Sequence, residues 1–179
     1  MKPFNEQQIV RRFREGDAEA FGELFDRYHQ GIYRYILLRI GSAEEAEDLA
    51  SISFERLLET LAEKPIWRVK PFLYQIARNL IVDYFRTRAK ATLPLEYAES
   101  AATSTGGSDP HEQQALMQAL AELPEDLREV LILKHTEELS AGEIGEVIGK
   151  SAGAVRVLLF RAHRKLKDVI VHEQSVPTT

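Results

Sequence analysis

The sequence predicts an all-α protein: two small helical domains joined by a flexible linker, the second containing a helix-turn-helix. Apolar residues recur at spacings of three and four, and no segment shows the two-residue alternation of a strand. Over 91–112, ATLPLEYAESAATSTGGSDPHE, Ser, Thr, Gly and Pro replace that periodicity and mark the linker. The boundaries that follow are a first domain over 1–90, a second over 113–172 and a tail over 173–179. Both domains lie in the range where small helical units fold.

In the first domain, Phe21, Leu24, Phe25, Tyr28, Ile32, Ile36 and Ile40 line one face of a helix that starts near Asp17 and ends at Gly41. Ser42 is the N-cap of a second helix. Glu44, Glu45 and Glu47 sit in its first turns, where the helix dipole favours anions, Leu49, Ile52, Leu57 and Leu61 supply its apolar side, and Pro65 stops it. A third helix has Pro71 in its first turn and runs through PFLYQIARNLIVDYFRTRAK, burying Phe72, Ile76, Leu80 and Tyr84.

The second domain opens with QALMQALAEL and restarts at Pro124, whose fixed φ and missing N–H suit the first helical position. Leu127, Val130 and Leu131 face inward, and Lys134 and His135 close this helix at the end where positive charge is favoured. Ser140 and Glu143 form the S-x-x-E capping box of a short helix that Gly149 ends. Ser151 caps the last helix, which extends to about Val171. Across AGEIGEVIGKSAGAVRVLLF, Ile144, Val147, Ile148, Val155 and Leu158 fall where a helix pair must touch, with Gly145 at the crossing and Gly149 in the turn. Arg156, Val157, Phe160, Arg161 and Arg164 are left outside or at the rim. An ordinary helical hairpin with a solvated basic face would share some of these features, but caps, glycines and charge together point to a helix-turn-helix.

Charge supports the same reading. The net charge of −5 over 179 residues opposes DNA binding, which relies on Lys and Arg displacing counterions from phosphates. Its distribution reverses that impression. Arg68, Lys70, Arg78, Arg86, Arg88 and Lys90 face a single Asp83 between Trp67 and Lys90, and 150–167 holds six Lys and Arg with no acid. The acid is concentrated in Glu44, Glu45, Glu47, Asp48, Glu55, Glu59 and Glu63. Ser151 and the backbone N–H groups at the last helix's start suit phosphate, and Arg156 and Arg161 can reach base edges or phosphates in a major groove. Over Trp67 to Lys90, Trp67, Phe72, Tyr74, Tyr84 and Phe85 interleave with basic residues, a combination suited to unstacked bases and equally to an amphipathic helix with an aromatic core. Asn79 gains little from a helix interior and has an amide to offer a base, or a local backbone group.

Other classes of function are excluded or unsupported. Without cysteine there are no disulfides, thiolate metal sites or thiol sensors. The five histidines, His29, His111, His135, His163 and His172, are scattered without metal spacing, and Gly106-Gly107 precedes no Lys-Ser/Thr pair. No enzyme activity, metal or cofactor is expected. No run of about 18 apolar residues could span a bilayer, and MKPFNEQQIVRRF lacks a secretory apolar stretch, so the expected location is cytoplasmic, with no membrane insertion.

The stretches FGELFDRYHQGIYRYILLRIGSAEEAEDLASISFERLLE, KPFLYQIARNLIVDYFR and LPEDLREVLILKHTEELSAGEIGEVIGKSAGAVRVLLFRAHRKL, in this order, resemble bacterial RNA polymerase sigma factors of the extracytoplasmic-function (ECF) group. The resemblance implies that the first domain is region 2, which docks on core polymerase and opens the minus-10 element, and that the second is region 4, which binds the minus-35 element as duplex. It implies β′ clamp helices and β flap as polymerase contacts, promoter DNA as ligand and an anti-sigma factor as partner. By motif match, Glu47, Asp48, Leu49, Ser53, Phe54 and Arg56 fall on the polymerase-docking helix. Asn79 and the loop Pro65 to Pro71 match the part that holds a flipped base, placing Trp67, Arg68, Lys70, Tyr74, Arg78 and Arg86 beside the minus-10 strand. Arg156, Phe160 and Arg161 match the minus-35 recognition helix, and Ser151, Val157 and Arg164 on the same helix complete the candidate minus-35 set.

The sequence departs from the family pattern in three motifs. Where G-T-V-K/R-S is common, Ala154 and Val157 remove two hydroxyls that could bond phosphate or base. Gly145 replaces a frequent Ala, less favourable for helix by about 1 kcal/mol. Ala50 and Ser51 follow Leu49 where the family has a glutamine. The alternative reading, a stand-alone regulator whose helix-turn-helix binds operator DNA, accounts for the second domain alone.

Overall fold

The computed structural model describes residues 4–90 and 118–174, and the predicted linker over 91–112 lies outside them. All regular structure in the described residues is helical. In the first half α1 is Glu6–Arg14, α2 Glu19–Ile40, α3 Ala43–Glu63 and α4 Val69–Lys90. Helix α1 is not among the elements the periodicity predicts, because its apolar face is short. Asn5 caps it by accepting from the Gln8 amide at 3.2 Å, and it buries only Ile9 and Val10.

The predicted stops and starts of α2 and α3 hold. Gly41 ends α2 at φ 76°, a left-handed conformation that a Cβ would oppose. Ser42 then caps α3 by accepting from the Glu45 amide. Helix α4 begins at Val69, before Pro71, because Val69 N–H donates to Glu6 Oε2 of α1 at 3.1 Å and so finds the partner that a first-turn amide lacks. Leu24, Ile32, Ile36, Leu57, Leu61, Leu73 and Ile81 are wholly buried where α2, α3 and α4 meet. One predicted core position differs, Phe25 being 38% exposed, and Tyr35, outside the predicted set, is fully buried.

In the second half α5 is Glu125–Leu131, one π-helical turn spans Ile132–Thr136, α6 is Ala141–Ile148 and α7 is Ala152–Gln174. A short helical piece over 118–121 precedes α5, and Arg128 ties it down by donating to the carbonyls of Leu120, Ala121 and Leu123. The helix predicted to close at Lys134 and His135 instead widens into the π turn, and Glu138 follows at φ 55°. The capping box of Ser140 and Glu143 and the left-handed Gly149 are present as predicted. A Cβ added at Gly145 would run into the Lys150 carbonyl, whose own N–H donates back to Gly145 O at 2.9 Å. This close approach sets the turn between α6 and α7. Ile144, Val147 and Val155 are buried there, with Ile148 and Leu158 partly so. The buried apolar residues of both halves form one continuous cluster.

Candidate nucleic-acid interface

On α7 the exposed face is the predicted one. Ser151 accepts from the Ala154 amide at 3.2 Å, which leaves its hydroxyl proton free to donate outward. Arg156, Arg161 and Arg164 are exposed, as are two large apolar side chains, Val157 at 50% and Phe160 at 71%. Residues 157, 160, 161 and 164 share one side of the helix by their spacing. That surface combines cationic and apolar side chains, and α6 packs behind it through Ile144 and Val147 against Val155.

The loop before α4 is held by α1. Glu6 accepts from both the Tyr28 hydroxyl and Val69 N–H, and Gln7 donates to the Trp67 carbonyl. Trp67 therefore projects with 77% of its surface exposed, beside a cleft of about 760 Å³ lined by Asn5, Gln7, Gln8, Arg11 and Arg14. Neither Glu6 nor Gln7 figured in the sequence reading, because nothing in their local pattern relates them to residues sixty positions away.

The remaining predicted minus-10 residues divide between two faces of α4. Asn79 and Arg86 are exposed, and the Asn79 amide makes no hydrogen bond to a described residue. Arg68, Lys70, Tyr74 and Arg78 turn toward the second half and are partnered there. Arg68 pairs with Glu143 at 3.2 Å and with Glu146. Lys70 Nζ donates to the Glu137 carbonyl at 2.7 Å, the Tyr74 hydroxyl donates to the Glu137 carboxylate, and Arg78 Nε donates to Glu129 Oε1 at 3.0 Å. Tyr74 is 1% exposed, so in this arrangement it offers no ring to a base. The acid that neutralises this patch comes from 129–146, not from the 44–63 cluster on which the sequence reading centred.

Helix α2 adds to the same seam. Arg39, 3% exposed, donates to Glu129 Oε1 at 2.6 Å and to the Tyr35 hydroxyl at 2.7 Å, and it pairs with Glu125. Burial acts to lower the Arg39 pKa, but Tyr35, Glu129 and Glu125 outweigh it and hold the guanidinium charged. Burial raises the Glu137 carboxyl above its ordinary value, while Tyr74 and Arg34, at 3.3 Å, pull it partly back. Arg39 was legible as unusual: with Tyr35, Ile36 and Ile40 it falls on the apolar stripe of α2, where a charge needs a partner.

On the predicted docking helix, Glu47, Asp48 and Arg56 are exposed and Leu49 is partly so. Ser53 and Phe54 are buried. Ser53 Oγ donates to the Leu49 carbonyl at 2.7 Å, and Phe54 meets the rings of Phe21, Phe25 and His29, so these two shape the surface from beneath. His135 and His163, scattered in sequence, face each other with Nε2 atoms 2.7 Å apart; no group of three metal-ligating side chains occurs among the described residues.

Comparison with known proteins places these features. Residues 24–91 match the family model for Sigma-70 region 2, and residues 113–166 match that for Sigma-70, region 4. The chain is 32% identical to the ECF RNA polymerase sigma factor BldN of Streptomyces coelicolor, over 91% of its own length and 65% of that protein's. It is 30% identical to the ECF RNA polymerase sigma factor SigM of Bacillus subtilis, over 81% of this chain and 91% of that one. Its fold resembles that of the sigma factor RpoE from Bartonella quintana, solved in complex with the anti-sigma factor NepR (TM-score 0.75, 19% identity, 85% of this chain and 97% of that one).

Proposed function

Because the chain belongs to the sigma-70 family, in its extracytoplasmic-function group, it binds core RNA polymerase and directs promoter-specific initiation, and we propose which of its residues perform each step. Its role is regulatory rather than catalytic. Both regions match, so a stand-alone operator-binding regulator, which would need only the second, is set aside. No helix among the described residues is long and apolar enough to cross a membrane, and we place the protein in the cytoplasm with its polymerase.

Region 4 reads the minus-35 element as duplex through Ser151, Arg156, Val157, Phe160, Arg161 and Arg164. The arginines supply charge-assisted contacts to guanine edges or phosphates, and Ser151 with the start of α7 meets phosphate. Region 2 captures the opened minus-10 strand. Trp67 stacks on a base, Asn79 pairs with a base edge, and Arg68, Lys70, Tyr74, Arg78 and Arg86 line the strand's path. The exposed Trp67 beside an open cleft carries this half of the reading, since an indole so placed has no ring or hydrogen-bond partner among the described residues. Glu47, Asp48 and Arg56, with Leu49 beside them and Ser53 and Phe54 beneath, dock on the β′ clamp helices, and region 4 meets the β flap. The domain limits 1–90 and 113–172 belong to the same proposal. An anti-sigma factor is the proposed regulatory partner, as a sigma factor of this fold, RpoE of Bartonella quintana, has been solved with one.

The direct test is reconstitution with core polymerase on a promoter library; absence of any specific start would sink the assignment. Within that assay, Trp67→Ala and Asn79→Ala are expected to reduce promoter opening by about tenfold to a hundredfold, the worth of one stacked base, with minus-35 binding intact. Permanganate reactivity of the opened strand reads this, and unchanged footprints would remove both residues from the site.

Val157 gives a second expectation. Where a hydroxyl is common in the family, its exposed isopropyl group suits the one apolar group a major groove offers, the thymine methyl. Replacing thymines of the minus-35 element by deoxyuridine is expected to weaken holoenzyme binding about threefold to fivefold, the worth of one buried methyl. Val157→Ser should lose that sensitivity. Equal binding of both templates by the unmodified chain would exclude the contact.

A further inference from the structure

Helix packing in region 4 brings together two histidines that are far apart in sequence. His135 stands in the π turn Ile132–Thr136 and His163 on α7, 28 positions later. Both side chains are exposed, their Nε2 atoms are 2.7 Å apart, and the rings meet edge to face at 90° with centroids 4.9 Å apart. None of the steps assigned to this chain uses either residue. We propose that the pair is a binding site for one divalent transition-metal ion, held by the two Nε2 atoms and clipping the π turn to α7. The site is independent of which side chains read the promoter.

The arrangement of protons is the one a metal ligand needs. His163 Nδ1 lies 2.7 Å from the Leu159 carbonyl, which can only accept, so Nδ1 carries the proton and Nε2 keeps its lone pair. Metal-bound histidines are oriented in the same way, with the second ring nitrogen donating to a carbonyl or carboxylate. His135 Nε2 then donates to His163 Nε2, and the ion takes the place of that shared proton. The proton moves from Nε2 of His135 to its own Nδ1 by exchange with water, so two neutral rings remain and no net proton is released. Zinc–nitrogen bonds of about 2.0–2.1 Å at a tetrahedral angle set the two nitrogens about 3.3 Å apart. The rings therefore part by about half an ångström, a small rotation for exposed side chains.

The donor set selects the ion. Imidazole suits zinc, nickel and copper, whereas magnesium and calcium require oxygen ligands that this pair does not offer. Lys134 acts on His135 electrostatically and Arg164 follows His163, so an ion attracted by charge alone is repelled and coordinate bonds must hold it. No third ligating side chain joins the pair among the described residues, so water completes the coordination. The fold supplies what two free histidines lack. Helix α5 and its π turn are already packed against α7, so both donors are in place and the second bond orders little further chain. Single π turns recur at functional sites, and this one presents His135.

The experiment uses the full chain without a histidine affinity tag, titrated calorimetrically with zinc chloride and, in parallel, with magnesium chloride. One zinc per chain and no magnesium are expected. His135→Gln and His163→Gln should each weaken zinc binding about a hundredfold, the lower range of the gain from joining two ligands. The double variant should be little worse than either, because a lone imidazole does not chelate. His111→Gln with His172→Gln, the control, should bind zinc as the parent does. At a hundred times the measured dissociation constant, zinc should raise the melting temperature of the parent by about 5–10 °C and leave that of the double variant unchanged. Copper(II) on the unsubstituted chain gives a reading that stands even if a variant fails to fold: its electron paramagnetic resonance should show coupling to two imidazole nitrogens. Equal zinc affinity in the parent and the folded variants would overturn the site. Absence of saturable zinc binding, or copper coupled to a single nitrogen, would reduce His135 and His163 to a hydrogen-bonded pair and nothing more.

Discussion

Charge reversal of the α7 face, Arg156→Glu with Arg161→Glu, is expected to lower transcription from minus-35-dependent promoters by about a hundredfold or more while leaving core polymerase binding unchanged. A good arginine–base or arginine–phosphate contact is worth about 1–3 kcal/mol, and the introduced carboxylates repel the phosphates they replace. Both side chains are exposed and neither makes an ion pair with a described residue, so the fold loses nothing when they change. Run-off transcription together with polymerase co-elution separates the two activities. Full activity in the double variant would show that α7 does not read the promoter.

The second large effect is on stability. Gly145→Val is expected to destabilise the protein by about 3 kcal/mol, the upper range for overpacking, because the atom its Cβ meets is the Lys150 backbone carbonyl and not the end of a movable side chain. For a chain of this size that corresponds to a fall of about 6–12 °C in Tm. Gly145→Ala adds the same Cβ but recovers about 1 kcal/mol of helix propensity, so its loss should be smaller. A valine variant that melts with the parent would mean that the turn between α6 and α7 is looser than the contact with Lys150 implies.

Much of this molecule is written in short-range pattern. The cap at Ser42, the stop at Gly41, the capping box of Ser140 and Glu143 and the left-handed Gly149 all depend on neighbours within four residues, and each occurs where the sequence places it. The exposed arginines of α7 are legible for the same reason: once Ile144, Val147 and Val155 are fixed as the buried face by their spacing, Arg156, Arg161 and Arg164 have nowhere else to point.

Local pattern fails where a residue's partner lies far along the chain. Ser53 and Phe54 sit on a motif that suggests an outward role, yet Phe21, Phe25 and His29 of α2 close over Phe54. Val69 starts α4 ahead of Pro71 because Glu6, sixty-three positions earlier, accepts its N–H. Tyr74 reads as an aromatic available for stacking and is buried against Glu137.

The sequence by itself determined most of the helices, the ends set at Gly41, Ser42, Ser140 and Gly149, the two-region organisation and the cationic face of α7, since these follow from spacing, capping and charge within single elements. Only the tertiary structure decided which basic residues are tied to region 4 and which, like Arg86 with Asp83 of its own helix, are not. Arg68, Lys70 and Arg78 look the same in sequence as Arg86, but the docking of region 4 sets Glu129, Glu137, Glu143 and Glu146 against the first three and leaves the fourth exposed. An ion pair depends on the positions of two charges, and for partners fifty or more residues apart the packing of the helices alone fixes the second.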